Sequence, residues 1–235
     1  MSDNTPPADD QPDRFPRAFW ELHDRQGTGG SVEYREWRSA AMVHRALLIN
    51  EAELLRMIDF SDEVGQRHAI ALLSSLANGA VEDSDYWGFL FTRLTNYAAA
   101  NNALIDHVRN LLKGYQGTAF GEEADARRSA LGSTPAMSFI KDFRNYLVHN
   151  AMAPMSIRSN MDAGTDLDLE ALLDVPELRK WSKWSAASKR YLEGRGDLAI
   201  IHTLRECRTL REEFYDWLWR QFTGPQHAGV PALSG

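Results

Sequence analysis

Thr134-Pro135-Ala136-Met137-Ser138-Phe139-Ile140-Lys141-Asp142-Phe143-Arg144-Asn145-Tyr146-Leu147-Val148-His149-Asn150 reads as one amphipathic helix. Threonine at the cap and proline at the first helical position form a start signal. Pro154 limits the far end, because a residue before proline avoids the helical region. The helix is expected from Pro135 to His149 or Ala151. At about 100° per residue, Phe139, Ile140, Phe143 and Leu147 fall on one apolar arc. Asn145, His149 and Asp142 fall together on a polar line. Arg144 stands at the edge of that polar side, with Lys141 and Val148 between. Asn150 lies at the border of the apolar arc, where the helix is expected to fray or turn.

Outward from this helix the chain reads as mostly helical. Apolar residues recur at helical spacing from about Ser31 to Ile58, from Asp62 to Asn78, and from about Asp85 to Gly114. Gly79 reads as a stop and Ser84 as a cap. A short helix is expected from Glu122 to Leu131. After the motif helix the pattern changes. Met155–Met161 and Thr165–Glu170 alternate apolar and polar around Asp162-Ala163-Gly164, which predicts a small hairpin over about 155–170. Helices resume from about Pro176 to Leu192. A last long helix is expected from Asp197 to Phe222. Residues 1–13 read as a disordered lead, 14–222 as the folded domain and 223–235 as a flexible tail. The fold class is therefore all-α: a helical bundle with a β-hairpin insertion after the motif helix.

Composition sets bounds on function. At 235 residues with 43% hydrophobic residues, the chain can bury a core without disulfide staples. Its single cysteine, Cys207, rules out an intrachain disulfide and points to a reducing, cytoplasmic setting. The polar, acidic N-terminus lacks the apolar stretch of a signal peptide. No apolar run approaches the roughly 18–20 residues of a membrane span. The net charge of −7 gives no compositional support for nucleic-acid binding. A basic surface would have to be local, and Arg127, Arg128, Lys141, Arg144 and Arg158 are the residues available for one.

The chemistry concentrates in Arg144-Asn145-Tyr146-Leu147-Val148-His149. A histidine titrates near neutrality and can pass a proton either way. An arginine can hold a phosphate and stabilise the charge of a pentacoordinate transition state. RNA supplies its own nucleophile, the 2′-hydroxyl, so such a pair needs no metal. The bland alternative is a polar helix face that only completes local hydrogen bonds. The stretch resembles the HEPN superfamily, whose mark is an arginine, a polar residue, about three further residues and a histidine near the end of a bundle helix. The resemblance covers the motif helix closely and the rest only as architecture. It implies a metal-independent endoribonuclease, a homodimer formed through the motif helices, and a composite cleft. It also implies a toxin–antitoxin or antiviral-defence setting, with an antitoxin or operon partner. Carried over, Arg144 would polarise the scissile phosphate, His149 would act as acid and base, and Asn145 would position them. Asp142 and Asn150 would support them. One common variant carries a tyrosine two residues after the histidine, where this chain has Ala151. Some members of the superfamily bind without cleaving, so a non-catalytic regulatory module is the second reading.

Other candidates carry less. His44, His68, His107 and His202 form no His-Glu-x-x-His or cysteine-rich spacing, so no metal or other cofactor is expected. Arg109-Asn110 echoes the start of the motif without its histidine. Asn101 or Asn102 could face the motif helix and bond Asn145 or His149. Trp181, Trp184, Trp217 and Trp219 could stack bases, although aromatics at helical spacing more often pack a core. Gly27-Thr28-Gly29-Gly30 lacks the lysine of a phosphate loop.

Overall fold

A computed structural model describes residues 32–61, 63–77, 85–150, 153–161 and 167–223. Eight helices and three strands lie within them. They are α1 (Val32–Ile58), α2 (Glu63–Ala77), α3 (Asp85–Lys113), α4 (Ala119–Ser133) and α5 (Pro135–His149). Then come β1 (Met155–Met161), β2 (Leu167–Asp174), α6 (Val175–Arg179), α7 (Ala186–Leu192), β3 (Asp197–Ala199) and α8 (Ile200–Thr223). The protein is helical with a small sheet inserted after the motif helix. The expected lead over 1–13, the Gly27–Gly30 stretch, the stop at Gly79, the cap at Ser84, Ala151, the 162–164 turn and residues 224–235 lie outside the described residues.

The long helices α1 and α3 pack along each other, and α8 closes the bundle from the C-terminal side. The apolar stripes read from sequence are the ones that meet: Leu47 and Leu54 from α1, Leu90, Leu94 and Leu104 from α3, Leu204 and Leu218 from α8. Between α1 and α8 the interior is polar. Glu51 is fully buried, and its Oε2 accepts from Arg211 at 2.7 Å, while the Arg211 guanidinium also donates to the Tyr97 hydroxyl at 3.1 Å. A buried carboxylate is tolerable only with such a partner.

The insertion is larger than a hairpin. β1 pairs antiparallel with β2 from Met155↔Leu173 to Met161↔Leu167, and β2 also pairs antiparallel with β3. β2 runs four residues past Glu170 because it is the central strand. Ala171, Leu172 and Leu173 are all buried, so the alternation that marks a half-buried strand stops there. The last helix therefore starts at Ile200 rather than Asp197. A turn at Gly194, with φ of 72°, brings Asp197–Ala199 alongside β2, and three residues are too few to show a period of two.

Candidate functional site

The motif helix occupies the expected span, Pro135–His149, with Thr134 in extended conformation before Pro135. The threonine hydroxyl does not cap it. Thr134 Oγ1 donates to the Leu131 carbonyl at 2.8 Å, and Ser138 Oγ donates to the Gly132 carbonyl at 2.9 Å. Both hydroxyls thus satisfy the end of α4 and fix the angle between α4 and α5.

The buried side of α5 is aromatic. Phe139 stacks on Trp184 and Tyr191 at 5.4 and 5.2 Å, and Tyr146 stacks on Trp184 at 5.6 Å. Trp181 meets Trp184 edge-on at 4.8 Å, and the Trp184 indole donates to the Leu178 carbonyl at 2.7 Å. The α6–α7 segment is therefore a packing surface for the motif helix. Trp219 is buried against His44, and Trp217 stacks on Phe120 beneath Arg127. Trp184 and Trp219 are buried and Trp181 and Trp217 half-buried, and packing is the role their contacts show.

The opposite side of α5 faces solvent. Lys141, Arg144, Val148 and His149 are exposed, and Asn145 is half-exposed. Arg144 Nη1 donates to Asn145 Oδ1 at 3.2 Å, so the amide steadies the guanidinium rather than the imidazole. His149 has no hydrogen-bond or ionic partner among the described residues. Arg144 and His149 are five residues apart, about 7.5 Å along the axis and about 140° around it. One helix thus presents the two groups at opposite edges of its solvent side, without closing a pocket around them.

Two supporting candidates do other work. Asp142 turns away from His149: its Oδ2 accepts from the Ser185 backbone N–H at 2.9 Å and from Ser188 Oγ at 2.7 Å. It holds the N-terminus of α7 against α5, a favourable place for a carboxylate. Asn150 terminates the helix. Its backbone N–H and its side-chain Nδ2 both donate to the Tyr146 carbonyl, each at 2.9 Å. Asn102 does reach α5, at the Lys141 carbonyl and a long 3.5 Å, but touches neither Asn145 nor His149. Asn101 is buried in α3, and its Nδ2 lacks a partner among the described residues.

The local basic surface contracts to α5. Arg127 pairs with Glu123 at 2.8 Å, Arg128 with Asp125 at 3.1 Å, and Arg158 lies between Glu170 and Asp197. Among the described residues Lys141 and Arg144 have no carboxylate partner. Arg109 and Asn110, the echo of the motif, are taken up locally by Asp106 and Lys113. The other described histidines differ from His149. His44 is buried and accepts from Trp219, and burial, with Arg211 nearby, pushes its imidazole down to about 3. His107 bonds Ser39, and His68 lies against Tyr86. Cys207 is buried, and burial pushes its thiol up to about 12, which removes it as a nucleophile.

A second polar cluster escaped the sequence reading. A cleft of about 520 Å³ opens where the sheet meets α7 and α8. His202 Nε2 stands 3.6 Å from Glu170 Oε1, Tyr191 donates to Glu206 at 2.9 Å, and Arg195 lies over the Tyr191 ring. The four-residue spacing of His202 and Glu206 was the available signal, but Glu170 arrives from a distant strand. Arg158 pairs with Glu170 and Asp197, whereas among the described residues Glu206 has no cationic partner and Arg195 no carboxylate partner. Among the described residues no three His, Cys, Asp or Glu side chains form a metal-ligand set, and no helix is long and apolar enough to cross a membrane. No protein-family model, curated protein or solved structure matches the chain.

Proposed function

We propose that this chain is a metal-independent, HEPN-type endoribonuclease of the cytoplasm that acts as a homodimer. The observation that carries the reading is the solvent face of α5. Among the described residues Arg144, steadied by Asn145, has no carboxylate partner and His149 has no partner, and both are exposed on that side. A two-fold pairing of these faces would bring two arginines and two histidines together. Val148, 57% exposed between them, supplies apolar surface for such a contact.

The chemistry follows from that pairing. The RNA 2′-hydroxyl attacks the adjacent phosphorus and gives its proton to one histidine. The bond to the 5′-oxygen breaks, and that oxygen takes a proton from the other histidine. Both Arg144 guanidinium groups balance the added charge on the phosphoryl oxygens. The products are a 2′,3′-cyclic phosphate and a 5′-hydroxyl. A toxin or phage-defence role, with an antitoxin or operon partner restraining it, is the setting that fits.

The test is purified protein on RNA in the presence of chelator, with end chemistry and solution mass read together. Expected are cyclic-phosphate ends, a dimeric mass, and loss of about 10²–10⁴ in rate for His149→Ala, the usual contribution of an acid/base group. Protein inert on every RNA class, with Arg144→Ala and His149→Ala leaving any toxicity on expression unchanged, overturns the reading. One observation favours the alternative, a non-catalytic regulatory module: neither Asp142 nor Asn145 orients the His149 imidazole.

A further inference from the structure

A cavity of about 350 Å³ lies between α3, α4, α5 and α8 and shares only Lys141 with the solvent face of the motif helix. Its deep walls are Val108, Met137 and Phe214, all buried, with Ile105 and Leu131 half-buried nearer the opening. Its polar groups are unevenly used. Arg128, half-buried, is held by Asp125. Lys141, exposed, has no carboxylate partner among the described residues. Tyr215 is 3% exposed, lines the cavity, and its hydroxyl makes no hydrogen bond among the described residues. The hydroxyl oxygen opens on the cavity rather than being sealed in the core, so it is a donor available to what enters there. Burial pushes the Tyr215 phenol well above its usual range, so it stays a donor, and the nearby Arg128 adds positive potential.

We infer that this cavity binds a small amphiphile: an apolar body with one carboxylate head. The apolar walls take the body. Tyr215 donates to the head, and Lys141 supplies the opposite charge, with Arg128 also lining the cavity. The size agrees. A cavity of about 150 Å³ holds benzene, so this one accommodates roughly a dozen non-hydrogen atoms. The chemistry is that of a medium-chain alkyl carboxylate. An uncharged alcohol of the same length shares the apolar term and lacks the ionic one. The site stands independently of the ribonuclease reading.

The experiment uses the full chain labelled with ¹³C-methyl methionine, following the Met137 methyl resonance during titration with octanoate and, separately, octan-1-ol. Saturable shifts with octanoate are expected, and weaker binding of the alcohol. Lys141→Ala should weaken octanoate about tenfold, the worth of one charge-assisted contact, and leave octan-1-ol unchanged. Tyr215→Phe, which keeps the ring, should weaken octanoate severalfold. Ile105→Trp, which fills the cavity, should abolish both. Lys141→Ala lies on the surface and Tyr215→Phe preserves shape, so both report even if the filling variant does not fold. A Met137 resonance that does not shift saturably overturns the inference. So does equal affinity for acid and alcohol that Lys141→Ala leaves untouched.

Discussion

Replacing Asp142 by alanine separates a structural strut from a catalytic support. The carboxylate accepts two hydrogen bonds from the start of α7, at 2.9 Å from Ser185 N–H and 2.7 Å from Ser188 Oγ. A hydrogen bond to a charged acceptor contributes about 1.5–3 kcal/mol. Asp142 is half-exposed, so water competes and the lower end applies to each, giving about 3 kcal/mol for the pair. A favourable interaction with the α7 N-terminus adds about 0.3–1 kcal/mol. Asp142→Ala should therefore lower unfolding free energy by roughly 3 kcal/mol in urea titrations followed by circular dichroism, with an unchanged slope. Asp142→Asn retains one acceptor oxygen and should recover about half of that. RNA cleavage, normalised to folded protein, should stay within about twofold of wild type, against the 10² or more expected for an acid/base partner. A stability loss below about 0.5 kcal/mol refutes the strut. So does a rate that collapses while stability holds, because the carboxylate would then be serving His149.

Two other expectations rest on the buried polar interior. His44 keeps its neutral form in the fold down to about 3, whereas an unfolded imidazole takes up its proton below 6.5. Its contribution is therefore whole above that pH and is lost as pH falls towards about 3, with about 2 kcal/mol gone between pH 7 and pH 5. In urea titrations at both values, His44→Gln should flatten the wild-type pH dependence by that amount, and an identical dependence in the variant counts against the assignment. Arg211→Met leaves the buried Glu51 carboxylate with only the longer Arg208 contact at 3.4 Å and should cost about 3 kcal/mol, while adding Glu51→Leu should return part of it. Additive losses in that cycle would mean that the two side chains do not act as a pair.

The span of the motif helix was legible because Pro135, the apolar arc and the chain break near Pro154 are local signals. The same period exposed Lys141, Arg144 and His149 on one side. It misjudged Asp142, which sits at the edge of the inward arc. Which neighbour covers that edge depends on α7, more than forty residues later. The tryptophans were ambiguous for a similar reason: helical spacing shows that Trp181 and Trp184 share a segment, but not that Phe139 and Tyr146 meet them. β3 was invisible because three residues carry no period, and its strand identity comes from pairing with β2 alone.

The sequence by itself determined a helical bundle, its sheet-forming insertion and an Arg–Asn–His solvent face, since each follows from short-range periodicity and capping. Only the tertiary structure decided which polar groups are committed. It gave Asp142 to α7, Asn150 to the helix end, Arg158 to the sheet and Asn145 to Arg144, and left the side chains of His149 and Lys141 and the Tyr215 hydroxyl without a partner among the described residues. The reason is physical. Helical spacing fixes the direction of a side chain, whereas its partner is set by long-range packing, and a polar group's chemistry belongs to the partner it finds.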